Sequence, residues 1–193
     1  MRVKWLGEAC VEINGAQNIL IDPHYQEAPK ENPDLILITH EHDDHFDPQV
    51  LEDYPEAEVY APQSVYEKFE VSGTVVSGGE EIGPGIKVLD CNCYGAEEAV
   101  SYYYQGILHT ADASQFPDPK EEVKLVFSAC FADLIDDYME SCRRIEPEMV
   151  VLYHYTAGDE EAIKEANEVK TKLKEAGFNT QLLSLGQSIQ ISN

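Results

Sequence analysis

Residues 35–45 read LILITHEHDDH, and the reading of that stretch decides both the fold and the chemistry of the chain. Leu35 to Thr39 is a continuous apolar run of strand length, the pattern of a strand buried on both faces. His40, His42 and His45 follow at once, so three of the chain's six histidines fall within six residues, with Asp44 among them. A loop leaving the carboxyl end of a buried strand is where side chains converge on one point from a rigid base. His40 and His42, two apart, can point the same way in an extended turn. The adjacent Asp44 and His45 point to different sides and can serve a second centre. Imidazoles with a carboxylate form a donor set for Zn²⁺ or a similar transition metal, and a carboxylate beside an open coordination position can orient a metal-bound hydroxide.

Working outward, strand-like runs precede the cluster at Val3–Leu6, Cys10–Ile13 and Asn18–Ile21, with Asn14-Gly15 predicting a two-residue hairpin. A short helix is expected from Pro48, a strand at Ala57–Ala61, and a helix from Pro62 carrying Val65 and Phe69. The second half opens with strands at Thr74–Val76, Ile86–Asp90, Val100–Tyr104 and Gly106–Thr110. It then alternates: strand Leu125–Ala129, helix Asp133–Arg144, strand Met149–Tyr153, and a long helix Asp159–Ala176 stopped by Gly177. Thr180–Ser184 and Ser188–Ser192 finish as strands. Two sheet-rich halves, each with helices for one outer face, predict an α/β fold of four layers, an αββα sandwich, with residues 1–193 as one domain.

The acidic balance, 37 Asp and Glu against 13 Lys and Arg for a formal charge of -24, argues against nucleic acid or anionic membrane surfaces as partners. The N-terminal stretch alternates instead of running apolar, which predicts no signal segment or membrane span and a cytoplasmic protein. Five cysteines are an odd number for a disulfide framework. Two further strand ends carry candidate ligands: Asp112 after the run to Thr110, against the alternative of a turn cap, and His154 after Met149–Tyr153, against the alternative of a core hydrogen bond. Cys130, at another strand end, reads as packing before it reads as a nucleophile.

The His-x-His-x-Asp-His segment 40–45 resembles the signature of the metallo-β-lactamase superfamily. The opening MRVKWLGEACVEI and NILIDP, the run Leu108-His109-Thr110-Ala111-Asp112 and the run Val150 to Tyr155 extend the likeness across nearly the whole chain. It is similar above all to the compact UlaG-like hydrolases, the group of ascorbate-6-phosphate lactonase. The resemblance implies that His40 and His42 hold a first metal, that Asp44, His45 and His154 hold a second, and that Asp112 bridges them. Asp22 matches a position that supports the metal loop, His109 could stand behind the ligands, and His24 lies near the pocket mouth or on the surface.

The chain departs from that pattern where the family supplies a third histidine to the first metal: no histidine lies between His45 and His109. Asp90-Cys91-Asn92-Cys93 stands there instead. Cys91 and Cys93, on one face if the segment is extended, offer a thiolate as the substitute ligand, unless both are ordinary buried cysteines and the first site is degenerate. Glu8 and Ala111 also replace the His and Gly common in related chains. The resemblance implies a metal-dependent hydrolase, with Zn²⁺ as one or two ions and Mn²⁺ or Fe²⁺ as alternatives. A metal-bound hydroxide oriented by Asp44 would cleave an ester, lactone or phosphodiester of a small-molecule substrate. The rival reading is a non-catalytic or mononuclear metal-binding protein that kept the fold. The three arginines, Arg2, Arg143 and Arg144, lie outside every motif, so the sequence offers no guanidinium clamp for phosphate.

Overall fold

The computed structural model describes residues 1–192. Strands β1 (Arg2–Gly7), β2 (Cys10–Asn14), β3 (Asn18–Ile21), β4 (Leu35–Leu37), β5 (Glu58–Ala61) and β6 (Thr74–Val75) lie side by side in chain order, antiparallel through β3 and parallel from there. Helices α1 (Gln49–Asp53) and α2 (Gln63–Phe69) fall between β4, β5 and β6 in the chain. A second sheet runs β7 (Glu81–Ile82), β8 (Ile86–Asp90), β9 (Val100–Tyr104), β10 (Ile107–His109), β11 (Leu125–Ala129), β12 (Met149–Tyr153) and β13 (Thr180–Leu182), antiparallel as far as β10 and parallel beyond. Helices α3 (Ile135–Ile145) and α4 (Glu160–Glu175) follow β11 and β12.

Alternation decides which face each residue serves. Trp5, Ile13, Ile19, Ile21, Leu35 and Leu37 share one buried cluster with Tyr102, Phe127 and Tyr153 of the second sheet, while Leu6, Leu20, Ile36 and Ile38 join Val50, Val65 and Tyr66 of α1 and α2 in another. Helix α4 packs on β12 and β13. The result is the expected αββα sandwich.

Several boundaries differ from the sequence reading. The hairpin between β2 and β3 turns through Gly15, Ala16 and Gln17 rather than two residues, because pairing continues to Asn14 and Asn18. The Asn14 side chain accepts from Arg2 Nε and Nη2 at 3.1 and 2.7 Å and donates to Asn18, which prolongs the ladder. The helix expected from Asp133 begins as a 3-10 turn, Ala132–Leu134. The last strand, β14 (Ser188–Gln190), leaves the second half and pairs with β1 at the edge of the first sheet. Strand β4 stops at Leu37, two residues early, because the Thr39 amide donates to the Asp22 carboxylate, at 2.7 Å, instead of to a neighbouring strand.

These connections gather the chemistry at one edge. Strand β8 is antiparallel to β9 and β9 to β10, so the carboxyl ends of β8, β10, β11 and β12 lie on the same side. The first sheet meets that edge through a bridge between His40 and Ala99, the Val100 amide donating to Thr39 O at 3.0 Å, and Tyr102 Oη donating to Ile38 O at 2.9 Å.

Candidate metal centre

Positioning begins one layer behind the cluster. Buried Asp22, held with φ at 48°, accepts from the Thr39 amide, from Thr39 Oγ1 at 2.8 Å and from His45 Nδ1 at 2.8 Å. Thr39 Oγ1, its proton given to Asp22, accepts from His40 Nδ1 at 2.9 Å. Both rings are thereby fixed with the Nε2 lone pair facing forward, the arrangement that orients a metal-ligating imidazole. His45 Nε2 then stands 3.2 Å from His154 Nε2 and 3.3 Å from Asp112 Oδ2. His40 Nε2 stands 3.0 Å from His42 Nδ1, 3.4 Å from Cys93 Sγ and 3.7 Å from Asp112 Oδ2.

The donor atoms form two sets, each within 4.8 Å mutual distance: His40, His42, Cys93 and Asp112 in one, Asp44, His45 and His154 in the other. Asp112 lies between them, Oδ2 toward His40 and His45 and Oδ1 3.3 Å from His154 Nε2. All six ligand residues anticipated from the sequence are therefore brought together. Cys91 is not. Strand β8 ends at Asp90, and beyond it the two cysteines part: Cys91 Sγ donates to Thr110 O at 3.5 Å while Cys93 Sγ enters the cluster.

The residues present fit a cation. Asp112 Oδ1 is buried without a hydrogen bond, and ring nitrogens face one another at 3.0 and 3.2 Å with carboxylate and thiol around them. Such a convergence of lone pairs is satisfied by a positive ion between them. The local field agrees. Burial works against ionised Asp112, yet the imidazoles around it hold its carboxyl well below the usual range, and the His154 ring 3.3 Å from Asp44 does the same there. Burial pulls His154 down, but the Asp112 and Asp44 carboxylates outweigh it and push it up to about 9. Burial, with His45 beside it, pulls His40 down to about 3. Burial and Asp112 push the Cys93 thiol up. A divalent cation in the cluster reverses the sign of that last influence and favours the thiolate.

The remaining motif residues act from behind. His109, fully buried, donates through Nε2 to Ala9 O at 3.0 Å and accepts the Ala111 amide at 3.4 Å, steadying the turn into Asp112. Ala111 itself has φ of 52°, a conformation in which glycine is the relaxed choice. Tyr153 Oη donates to its carbonyl at 2.8 Å and holds it there. Glu8, also left-handed, serves through its carbonyl, which accepts the His154 amide and the Trp5 indole, both at 2.9 Å. Cys130, pushed up to about 12 by burial, donates to His154 O at 3.6 Å and packs. His24 lies outside both donor sets. The sequence reading missed Thr39, although its place directly before His40 was a signal, and it missed Glu41.

A pocket of about 580 Å³ opens on the cluster, lined by Asp112 and Cys93 and by Asn92, Tyr94, Ser114, Phe131, Asp133 and Leu134. Phe131 packs edge-on against the His154 ring, so an apolar wall adjoins the donor atoms directly. Among the described residues no helix is long and apolar enough to cross a membrane.

The chain is similar to known proteins over its whole length. Residues 2–173 match the family described as the Beta-lactamase superfamily domain. Proteins named UPF0173 metal-dependent hydrolase, from Methanoregula boonei and Methanosarcina mazei, are 26% and 25% identical, with coverage of 99% of this chain and 98% and 99% of theirs. The structure of Igni18, described as a novel metallo hydrolase from the archaeon Ignicoccus hospitalis, superimposes with a TM-score of 0.75 over all of both chains at 18% identity, a likeness of fold. With the αββα layers, the match of residues 2–173 and the segment 40–45 in agreement, the chain belongs to the metallo-β-lactamase superfamily.

Proposed function

We propose that the protein is a metal-dependent hydrolase with two metal sites, His40, His42 and Cys93 holding one ion, Asp44, His45 and His154 the other, and Asp112 shared between them. The observation that carries this reading is the convergence of those seven side chains, from both sheets, around Asp112. Imidazole, carboxylate and thiolate donors together favour Zn²⁺ over Mn²⁺, whose preferred ligands are oxygens. Ions bound there supply an activated water and polarise the scissile bond. The chain's own part is geometry: Asp44, kept ionised by His154 and half exposed, orients the attacking water, and Phe131 and Leu134 exclude bulk solvent from one side.

Substrate class follows from the pocket wall. Its lining combines Tyr94, Phe131 and Leu134 with Asn92, Ser114 and Asp133 and includes no lysine or arginine. A small ester or lactone with an uncharged, apolar arm suits that wall, whereas a phosphodiester brings a charge that only the metals could meet. This agrees with the likeness to the compact UlaG-like group in reaction type while parting from phosphorylated substrates. Five unpaired cysteines suit a reducing compartment such as the cytoplasm.

The test is a matched pair of chromogenic substrates, a p-nitrophenyl alkanoate and bis(p-nitrophenyl) phosphate, on the metal-loaded protein. We expect kcat/KM for the ester to exceed that for the diester by about tenfold or more, the scale of one unsatisfied charge of about 1.4 kcal/mol, with both activities lost to a chelator. A preference for the diester contradicts the substrate class. Full metal occupancy without hydrolysis of esters, lactones or diesters contradicts the hydrolase reading and favours a metal-binding role.

A further inference from the structure

The loop that carries Cys93 is weakly held. Between β8 and β9, no backbone group of residues 92–96 is hydrogen-bonded to the rest of the protein among the described residues, and Tyr94 is fully exposed. The first anchor after Cys93 is the Glu97 amide, which donates to Glu41 Oε1 at 2.6 Å. Glu41 is the residue between His40 and His42. Its other oxygen accepts from Ser64 Oγ of α2 at 2.8 Å, and its carbonyl accepts from Lys68 Nζ at 2.7 Å, so both its side chain and its backbone are tied to α2. The Ser64 amide in turn donates to Glu98 Oε2 at 2.9 Å, a second tie between α2 and the end of the loop. Glu41 is buried to 8% exposure. A carboxylate is retained in such a place only where hydrogen bonds offset its desolvation, and here the donors come from the two elements that must be held in register.

We propose that Glu41 is a positioning residue that sets Cys93 at the first metal site, joining the peptide that carries His40 and His42 to the loop that carries the third ligand. The proposal rests on the reading of Cys93 as a ligand. It explains why a side chain on a loop without backbone anchors arrives 3.4 Å from His40 Nε2: the strap fixes the loop a few residues beyond it, and Gly95, between the two, takes a φ of 84° that favours glycine. A purely stabilising carboxylate would serve the fold equally with or without a metal. A strap acts on one ligand of one site.

The distinguishing measurement is the near-ultraviolet thiolate-to-cobalt absorption of the Co²⁺-loaded protein, read together with cobalt stoichiometry. Wild type should show the band and Cys93→Ser should lack it. Glu41→Ala should lose most of the band and bind the first Co²⁺ about 10- to 100-fold more weakly, the usual effect of removing a residue that orients a ligand, while the second Co²⁺ stays bound. Glu41→Gln should restore the band, because its carbonyl can accept from Glu97 and its amide can donate to Ser64 Oγ. If Glu41→Ala does not fold, Glu41→Asp, which keeps the charge but falls a methylene short of Glu97, should show the same loss. A full band in Glu41→Ala or Glu41→Asp overturns the strap and leaves the ligand reading standing. A wild type without the band overturns both.

Discussion

Replacing Asp112 by Ala is expected to leave the protein with about one metal ion or fewer per chain and to lower kcat/KM for an ester by roughly a thousandfold, since a metal ion contributes several kcal/mol at the transition state. The expectation follows from the place of Asp112 between the two donor sets, with Oδ2 at 3.3 Å from His45 and 3.7 Å from His40, and Oδ1 at 3.3 Å from His154. On the proposed assignment, removing it takes a ligand from both ions at once. It also removes the carboxylate charge that offsets two cations brought close together. Asp112→Asn keeps the shape but not the charge and should fall between wild type and Ala in metal content. Elemental analysis and initial rates on the same samples check this, and an Asp112→Ala protein that retains both ions and most of its activity would show that Asp112 bridges nothing.

The second large effect is on stability. His40 and His45 are fully buried, and without cations their Nε2 atoms face other ring nitrogens and buried donors. At a metal concentration about 1,000 times the dissociation constant, binding adds about 4 kcal/mol to the folded state. For a chain of this size that corresponds to roughly 8–16 °C in Tm. A chelator should therefore lower Tm by about that amount, and the gap should depend on pH with a definite sign. In the metal-free protein, His154 is raised to about 9, so its contribution to stability is full below the unfolded value of about 6.5 and is lost as pH rises through 9. Metal binding runs the other way, because the ligands must be deprotonated. The difference in Tm between loaded and chelated protein should widen from pH 6 to pH 9, as followed by thermal melts at both ends. A gap that is constant or narrows with pH would contradict the coupling of His154 to the metals.

What the sequence made legible follows from local physics. The apolar run before His40, and strand ends at Asp112 and His154, are short-range patterns, and the six candidate donors they pointed to come together because the carboxyl ends of strands in two packed sheets meet at one edge. The errors have one origin: features decided by residues distant in the chain. Cys91 and Cys93 look equivalent if the strand continues, but β8 ends at Asp90, and beyond it a hydrogen bond to Thr110 takes Cys91 away while the loop brings Cys93 in. β4 ends early because Asp22, 17 residues upstream, takes the Thr39 amide. β14 crosses to the first sheet to cover the edge of β1, a pairing that nothing in Ser188–Gln190 announces. Glu41 was passed over for the same reason, since its partners lie on α2 and on the loop before β9.

If a Cys93 thiolate takes the place of the histidine of related chains, the first site has its full ligand set. The most direct test is the metal content of the protein purified without added metal, compared with Cys93→Ser and Cys91→Ser. Wild type and Cys91→Ser are expected to hold about two ions per chain and Cys93→Ser about one. Equal metal content in Cys93→Ser and wild type, or loss on changing Cys91 instead, would contradict that assignment.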